Sequence, residues 1–303
     1  MSRRRRGQPV HGWINVDKPP GLTSTQCLAR VRHLTNAAKA GHGGTLDPLA
    51  TGILPIALGE ATKTVSWVMD AGKTYRFTAR WGEATATDDM EGEIVARSDH
   101  RPGRAAIEAV LPRFTGEILQ KPPAFSALKV AGERAYDLAR AGRAPDLAPR
   151  PVRIDGLRLV DIPEADHAVF EVDCGKGAYV RALARDLGQA LGTCAHVTAL
   201  RRTRVGRFDE KSAFSLDSLA DLCQKGAAHA YLLPVETALD DIPALVVTGP
   251  QADRLRHGQS IRIATAAPGL PPEGEILVMA GGKAVGMAER SADEVRPLRL
   301  FNL

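Results

Sequence analysis

Residues 73–81 read KTYRFTARW, and the alternation in that stretch decides what kind of sheet the chain builds. Tyr75, Phe77, Ala79 and Trp81 fall on one side of a pleated strand. Arg76, Thr78 and Arg80 fall on the other, with Lys73 assigned by its charge to the polar set. A strand with one apolar and one polar face suits an antiparallel sheet covered on one side. The stretch AVFEVDCG, Ala168–Gly175, repeats the pattern, and GWINVD, Gly12–Asp17, reads as a shorter strand before the turn KPPGLTS.

Helical patterns lie between these strands. One begins at Ser24, with Cys27, Leu28, Val31 and Leu34 on one face. Others are read at Arg104–Val110, Glu133–Ala141, Ser215–Cys223 and Gly226–Leu239. In YVRALARDLGQAL, after a turn at Gly175–Gly177, Val180, Leu183, Leu187 and Leu191 form the apolar stripe, which sets Arg181 and Arg185 on a different face. Strands and helices do not alternate regularly enough for a doubly wound parallel sheet. The expected architecture is a mixed α+β fold around a largely antiparallel sheet. After the junction DDIPALVVTGP, the short runs IRIA, ILVM, AVGMAE and PLRLF predict a small β-rich C-terminal module.

The chain has 303 residues, enough for one large domain and a small one, and is 44% hydrophobic and 25% charged, as in ordinary globular proteins. No apolar run is long enough for a membrane span, and the basic N-terminus lacks the apolar segment of a secretory signal. Cys27, Cys174, Cys194 and Cys223 are widely spaced, which predicts reduced, mostly buried thiols in a cytoplasmic protein. The eight histidines show no ligand pattern, so no metal is expected. Arg3, Arg4, Arg5 and Arg6 supply four of the five net positive charges. They predict a flexible arm suited to phosphate contact. A second cluster, RRTRVGR at Arg201–Arg207, is open between a solvated edge strand and a polyanion site.

The stretch GHGGTLDPLATGILPIALGEATK, Gly41–Lys63, places a lone carboxylate, Asp47, between Leu46 and Pro48. Taken alone, Asp followed by Pro reads as a helix start, with Asp as cap and Pro at the first helical position. Four segments mix Gly, Pro, charge and aromatic residues in ways no periodicity explains: DKPPGLTS, GHGGTLDPLATG, KTYRF and KGAYVRALARDLG. Together with GEATATDDMEGEI (Gly82–Ile94) and KPPAFSALKVAGERAYDLAR (Lys121–Arg140), they closely resemble the TruB family of bacterial tRNA pseudouridine-55 synthases. The resemblance runs in order from about Gly12 to at least Arg207.

The resemblance implies a pseudouridine synthase fold with a small PUA-like RNA-binding module. The implied layout is a basic arm at 1–11, a catalytic domain at 12–240 and the module at 245–303. It implies a T-loop uridine of tRNA as substrate and no cofactor. Asp47 matches the family's catalytic aspartate, acting as nucleophile or proton acceptor. Arg181 matches the arginine that pairs with it, and Tyr75 the aromatic that stacks on the flipped uracil. His42 matches the residue inserted into the space the base leaves, and Lys18 belongs to the motif beneath the active site. Tyr179 and Leu200 match pocket-lining residues. Arg201, Arg202 and Arg204, with the N-terminal arm, are expected on the T-arm of the tRNA. No protein partner is implied, and a monomer is expected. One departure is GHGG where many relatives have GHTG; Gly43 in place of threonine is expected to loosen the loop carrying His42.

Overall fold

The computed structural model describes residues 7–126, 128–130, 132–135, 138, 141–143, 145–264 and 269–303. Its centre is a nine-stranded sheet. The main path runs Gly12–Lys18, Thr51–Leu58, Ala195–Val205, Lys73–Trp81, His167–Cys174, Arg150–Glu164 and Gly116–Gln120. Every pairing on that path is antiparallel except Thr51–Leu58 with Ala195–Val205, which meet in parallel through Thr51–Arg201 and Gly52–Arg202. The expected mixed, largely antiparallel sheet is the one found.

Lys73–Trp81 sits inside this sheet, with Phe77 and Trp81 buried and Arg76 exposed. Lys73 departs from the expected pattern: it is 7% exposed, and its Nζ donates to Met69 O and Ala71 O at the end of the Val65–Asp70 helix. A lysine can be buried where its donors find carbonyls. Ala195–Val205, which contains the RRTR cluster, is no edge strand; it lies between two neighbours.

Helices Ser24–Thr35 and Val180–Ala190 close the Phe77 face of the sheet over a core that includes Cys27, Val31, Phe170, Leu183 and Leu187. Thr23 caps the first of these helices through a capping box with Gln26. On the opposite face, Trp13, Ile53 and Ala57 pack against Leu277, Ala284 and Met287 of a second, five-stranded sheet and against Phe301, which follows its last strand. That C-terminal sheet is docked through an apolar seam, and Lys63 Nζ donating to Leu300 O at 2.7 Å adds a polar tie.

Several boundaries differ from the sequence reading. Gly226–Leu239 is not one helix: Ala228–Tyr231 and the 3-10 turn Val235–Leu239 are separated at Pro234, which cannot continue a ladder of N–H donors. Within the expected junction, Ala244–Val246 is a strand of the C-terminal sheet, parallel to Glu273–Ala280. The β-rich module also carries a helix, Gly249–Arg256, capped by Thr248 and packed over Ile276 and Val295. Of the helix expected at Glu133–Ala141, Glu133–Arg134 is instead a short strand paired antiparallel with Lys129–Val130, and residues 136, 137, 139 and 140 lie outside the described residues. Cys27 and Cys174 are buried, whereas Cys194 and Cys223 are partly exposed.

Candidate active site

Asp47 lies in the connection between strands Ala40–His42 and Thr51–Leu58, and no helix follows it, so it is not a helix cap. Instead Ala50 N donates to Asp47 O at 3.1 Å, a tight turn that leaves the side chain free to project. Gly44 has φ of 127°, a region side chains rarely enter, and this turns the chain into the loop.

Opposite the loop stands the start of the Val180–Ala190 helix. Arg181 Nε is 3.0 Å from Asp47 Oδ2. The Arg181 side chain is 6% exposed and that of Asp47 is 37% exposed, so the arginine is the fixed member and the carboxylate faces the opening. The guanidinium is held on its other edges as well. Nη1 lies 3.3 Å from Asp89 Oδ2 and donates to Thr87 O, and Nη2 donates to Phe125 O. A planar fork anchored on three sides presents its remaining edge to Asp47 in one orientation.

The cleft in front of this pair holds about 180 Å³ and is lined by Tyr75, Tyr179 and Leu200 together with Thr45, Leu46 and Ser126. At about 30 Å³ per water, that is room for a few waters or one planar base. Tyr75 and Leu200 reach it from adjacent strands: Tyr75 is paired across the ladder with Arg202, and Phe77 with Leu200. Burial raises the pKa of Tyr75, and burial likewise raises that of Tyr179, so both phenols stay neutral. Tyr179 is fixed by its backbone, since Gln120 accepts from Tyr179 N and donates to Tyr179 O.

Asp47, Tyr75, Tyr179, Arg181 and Leu200 are therefore brought together, although they are spread over more than 150 positions of sequence. Lys18 is fully buried beneath the loop, where its Nζ donates to Pro19 O, Leu22 O and Pro48 O. Burial lowers its pKa. His42 ends the strand that leads into the loop; burial, then the Arg202 charge, lowers its pKa, which favours the neutral ring.

Of the three arginines expected on RNA, Arg202 is buried, whereas Arg201 and Arg204 stand in partly exposed ion pairs. Arg202 is 1% exposed and donates to Gly44 O, Thr45 O and Ile53 O, so it does not face a ligand. Arg201 points to the opposite side of the sheet, bidentate on Asp17 at 3.0 and 2.9 Å and bonded to Glu210. These carboxylates hold its pKa well above the usual value. Arg204 is shared between Thr74 and Asp173. The alternation of a strand interior sends neighbouring arginines to opposite faces, which a linear basic cluster conceals.

The expected loosening at Gly43 is not what the packing gives. A Cβ there would lie 2.5 Å from Val68 Cγ1, so the missing side chain lets the Val65–Asp70 helix close on the loop.

Asp89 was missed by the sequence reading. It is 3% exposed, bonds Glu91 N and Thr87 Oγ1, and shares Arg181 with Asp47. Its neighbour Asp88, at φ of 60°, pairs with Arg185 at 2.9 Å. Burial raises the Asp88 pKa against the opposing Arg185 charge. The available signal was two adjacent aspartates matched by two arginines four apart on one helix face. Among the described residues, the only grouping of metal-type ligands is Glu164, Asp166 and His167, at a hairpin turn beyond the Trp81 end of the sheet and away from the cleft.

A buried guanidinium offering one edge to a half-exposed carboxylate, facing an aromatic-walled slot, fits the class that sequence comparison assigns: residues 32–180 match the TruB family pseudouridylate synthase (N terminal domain). Residues 181–240 match the tRNA pseudouridylate synthase B C-terminal domain, and residues 243–301 match Pseudouridine synthase II TruB, C-terminal. The chain is 56% identical over 306 residues to tRNA pseudouridine synthase B of Bradyrhizobium diazoefficiens, covering 99% of this chain and 88% of that protein. It is 54% identical to the protein of the same name from Caulobacter vibrioides, covering 100% of each. The chain belongs to the TruB family of tRNA pseudouridine synthases, and its reaction class is isomerisation. The fold is shared with a chain in the structure of an H/ACA RNP bound to a substrate RNA containing 2'-deoxyuridine, at TM-score 0.75 and 24% identity, covering 100% of this chain and 92% of that one. Among the described residues no helix is long and apolar enough to cross a membrane.

Proposed function

We propose that the protein converts the uridine at position 55, in the T-loop of tRNA, to pseudouridine, with Asp47 as the reacting carboxylate. The observation that carries this reading is the 3.0 Å pair of Asp47 and Arg181 at the mouth of the Tyr75 cleft. The reaction breaks the bond between ribose C1′ and uracil N1, turns the base, and joins C1′ to C5 with loss of the C5 proton. It needs an anionic group beside the sugar and base, a flat wall to hold the detached base, and exclusion of water. Asp47 supplies the first, oriented by Arg181. Tyr75 supplies the second, since a flipped base regains by stacking what it loses on leaving the loop. Leu200 and Tyr179 narrow the slot, and His42, whose lowered pKa favours the neutral ring, occupies the space the base leaves.

The enzyme acts as a cytoplasmic monomer organised as a basic arm over 1–11, a catalytic domain over 12–240 and an RNA-binding module over 245–303. With Arg202 buried in the protein, phosphate contact falls to the partly exposed Arg201 and Arg204, the N-terminal arm and the C-terminal module. Deleting the arm, with its four arginines, lowers the salt slope of tRNA binding by as much as about 3 to 4 units.

The test is tritium release from unmodified tRNA transcript labelled at uracil C5. Near-stoichiometric release by the wild type and none by Asp47→Ala supports the reading. Release by both variants, or by neither with binding intact, overturns it.

A further inference from the structure

The loop that presents Asp47 forms no ladder of its own. Ala40–His42 pairs with Leu58–Ile56, and Thr51–Leu58 takes Ala195–Val205 only at Thr51 and Gly52. Residues 43–50 therefore cross the gap between two neighbours of the same strand with backbone groups that need other partners. Lys18 serves Pro48 O, and two other side chains from distant elements serve residues 44–46.

The first is Ser24, the opening residue of the Ser24–Thr35 helix, 2% exposed. Its Oγ accepts from Leu46 N at 2.8 Å and donates to Leu46 O at 3.0 Å. A single hydroxyl thus serves as a strand partner for the residue directly before Asp47. The second is Arg202, whose Nη2 and Nη1 donate to Gly44 O and Thr45 O and whose Nε donates to Ile53 O at 2.8 Å. One planar guanidinium therefore fastens the chain both before and after the loop, like a buckle. Its backbone is itself held in the parallel pairing with Gly52, where an added Cβ would lie 2.1 Å from Arg202 O.

Arg202 has no carboxylate within ion-pair distance among the described residues, so a full charge is buried against carbonyls and the Tyr75 hydroxyl, all of them neutral. Burial of an unpaired charge costs stability that an apolar residue of similar volume would not. What the arginine supplies in return is geometric: three donors in one plane, set by a rigid fork.

We propose that Ser24 and Arg202 are positioning residues for Asp47, holding the loop so that the carboxylate meets the edge Arg181 presents. The inference rests on the reading of Asp47 as the reacting group. Neither side chain touches substrate; both act through the backbone of residues 44–46, and Arg202 in addition meets the Tyr75 hydroxyl. A shift of about 1 Å at a reacting group costs on the order of 100-fold in rate.

The experiment is single-turnover tritium release from C5-labelled tRNA with enzyme in excess, giving a rate constant and an amplitude, alongside Kd for the same tRNA. The variants are R202K, S24A, S24T and D47N. R202K and S24A lower the rate constant by about 10- to 100-fold with amplitude and Kd unchanged, and S24T, which keeps the hydroxyl, recovers most of the rate. A full rate constant with reduced amplitude means the residues only support folding and overturns the proposal. A Kd that weakens while the bound rate stays normal makes Arg202 an RNA ligand and also overturns it. Should R202K not fold, the S24A and S24T pair decides alone. D47N separates the two levels: if it still releases tritium, the reading of Asp47 fails. If D47N is inactive while R202K and S24A react normally, only the positioning role fails.

Discussion

Replacing Arg181 with lysine keeps the charge and removes the fork. The guanidinium spends Nε on Asp47 at 3.0 Å, Nη1 on Thr87 O at 2.9 Å and Asp89 at 3.3 Å, and Nη2 on Phe125 O at 2.8 Å. These partners surround a planar group, and a single ammonium at one point cannot reach them all. Asp89 and Thr87 sit together in the buried part of the site, so the lysine settles there and Asp47 loses its partner. A hydrogen bond to a charged group is worth about 1.5–3 kcal/mol. At 1.36 kcal/mol per tenfold in rate, losing that bond in the transition state slows the reaction roughly 10- to 150-fold. Single-turnover tritium release measures the rate, filter binding the Kd, and urea denaturation the stability. The reasoning is refuted if Kd rises in step with the loss of rate, since Arg181 would then be holding phosphate. An unchanged rate refutes it equally.

Three further outcomes follow from other parts of the site. Asp89→Asn keeps the shape and removes the second carboxylate, so Arg181 is drawn wholly to Asp47; the rate falls and the urea midpoint drops, and full activity would show that the second carboxylate is dispensable. Gly43→Thr places a Cβ against Val68 and costs about 1–3 kcal/mol by overpacking, and adding Val68→Ala restores the midpoint; a single variant as stable as the wild type would contradict the packing. His42 has its pKa lowered in the folded state, so below about pH 6.5 the unfolded chain binds the proton more readily and stability falls as pH drops. His42→Gln removes that part of the decline between pH 7 and 5, read from urea midpoints of both proteins; identical pH slopes would mean that His42 titrates as in the unfolded chain.

The alternation of KTYRFTARW and of AVFEVDC was enough to read an antiparallel sheet, because a period of two reports directly which side chains share a face. The same holds for the helices at Ser24 and Val180, whose stripes mark their buried sides. Asp47, Tyr75, Arg181, Tyr179 and Leu200 were legible through ordered motifs and a family resemblance, and the fold then gathers them around one cleft. What a linear reading could not supply was the depth of each charge. Arg201, Arg202 and Arg204 look alike in sequence. Strand position then buries Arg202 against carbonyls, sends Arg201 to Asp17 on the other face, and leaves Arg204 with Asp173. Asp89 was silent for the same reason, as its partner lies 92 positions away across the Val180–Ala190 helix start. Local sequence determines periodicity and backbone preference, and so the elements themselves. Which donor meets which acceptor, and how far from water, depends on elements that meet only in the folded sheet.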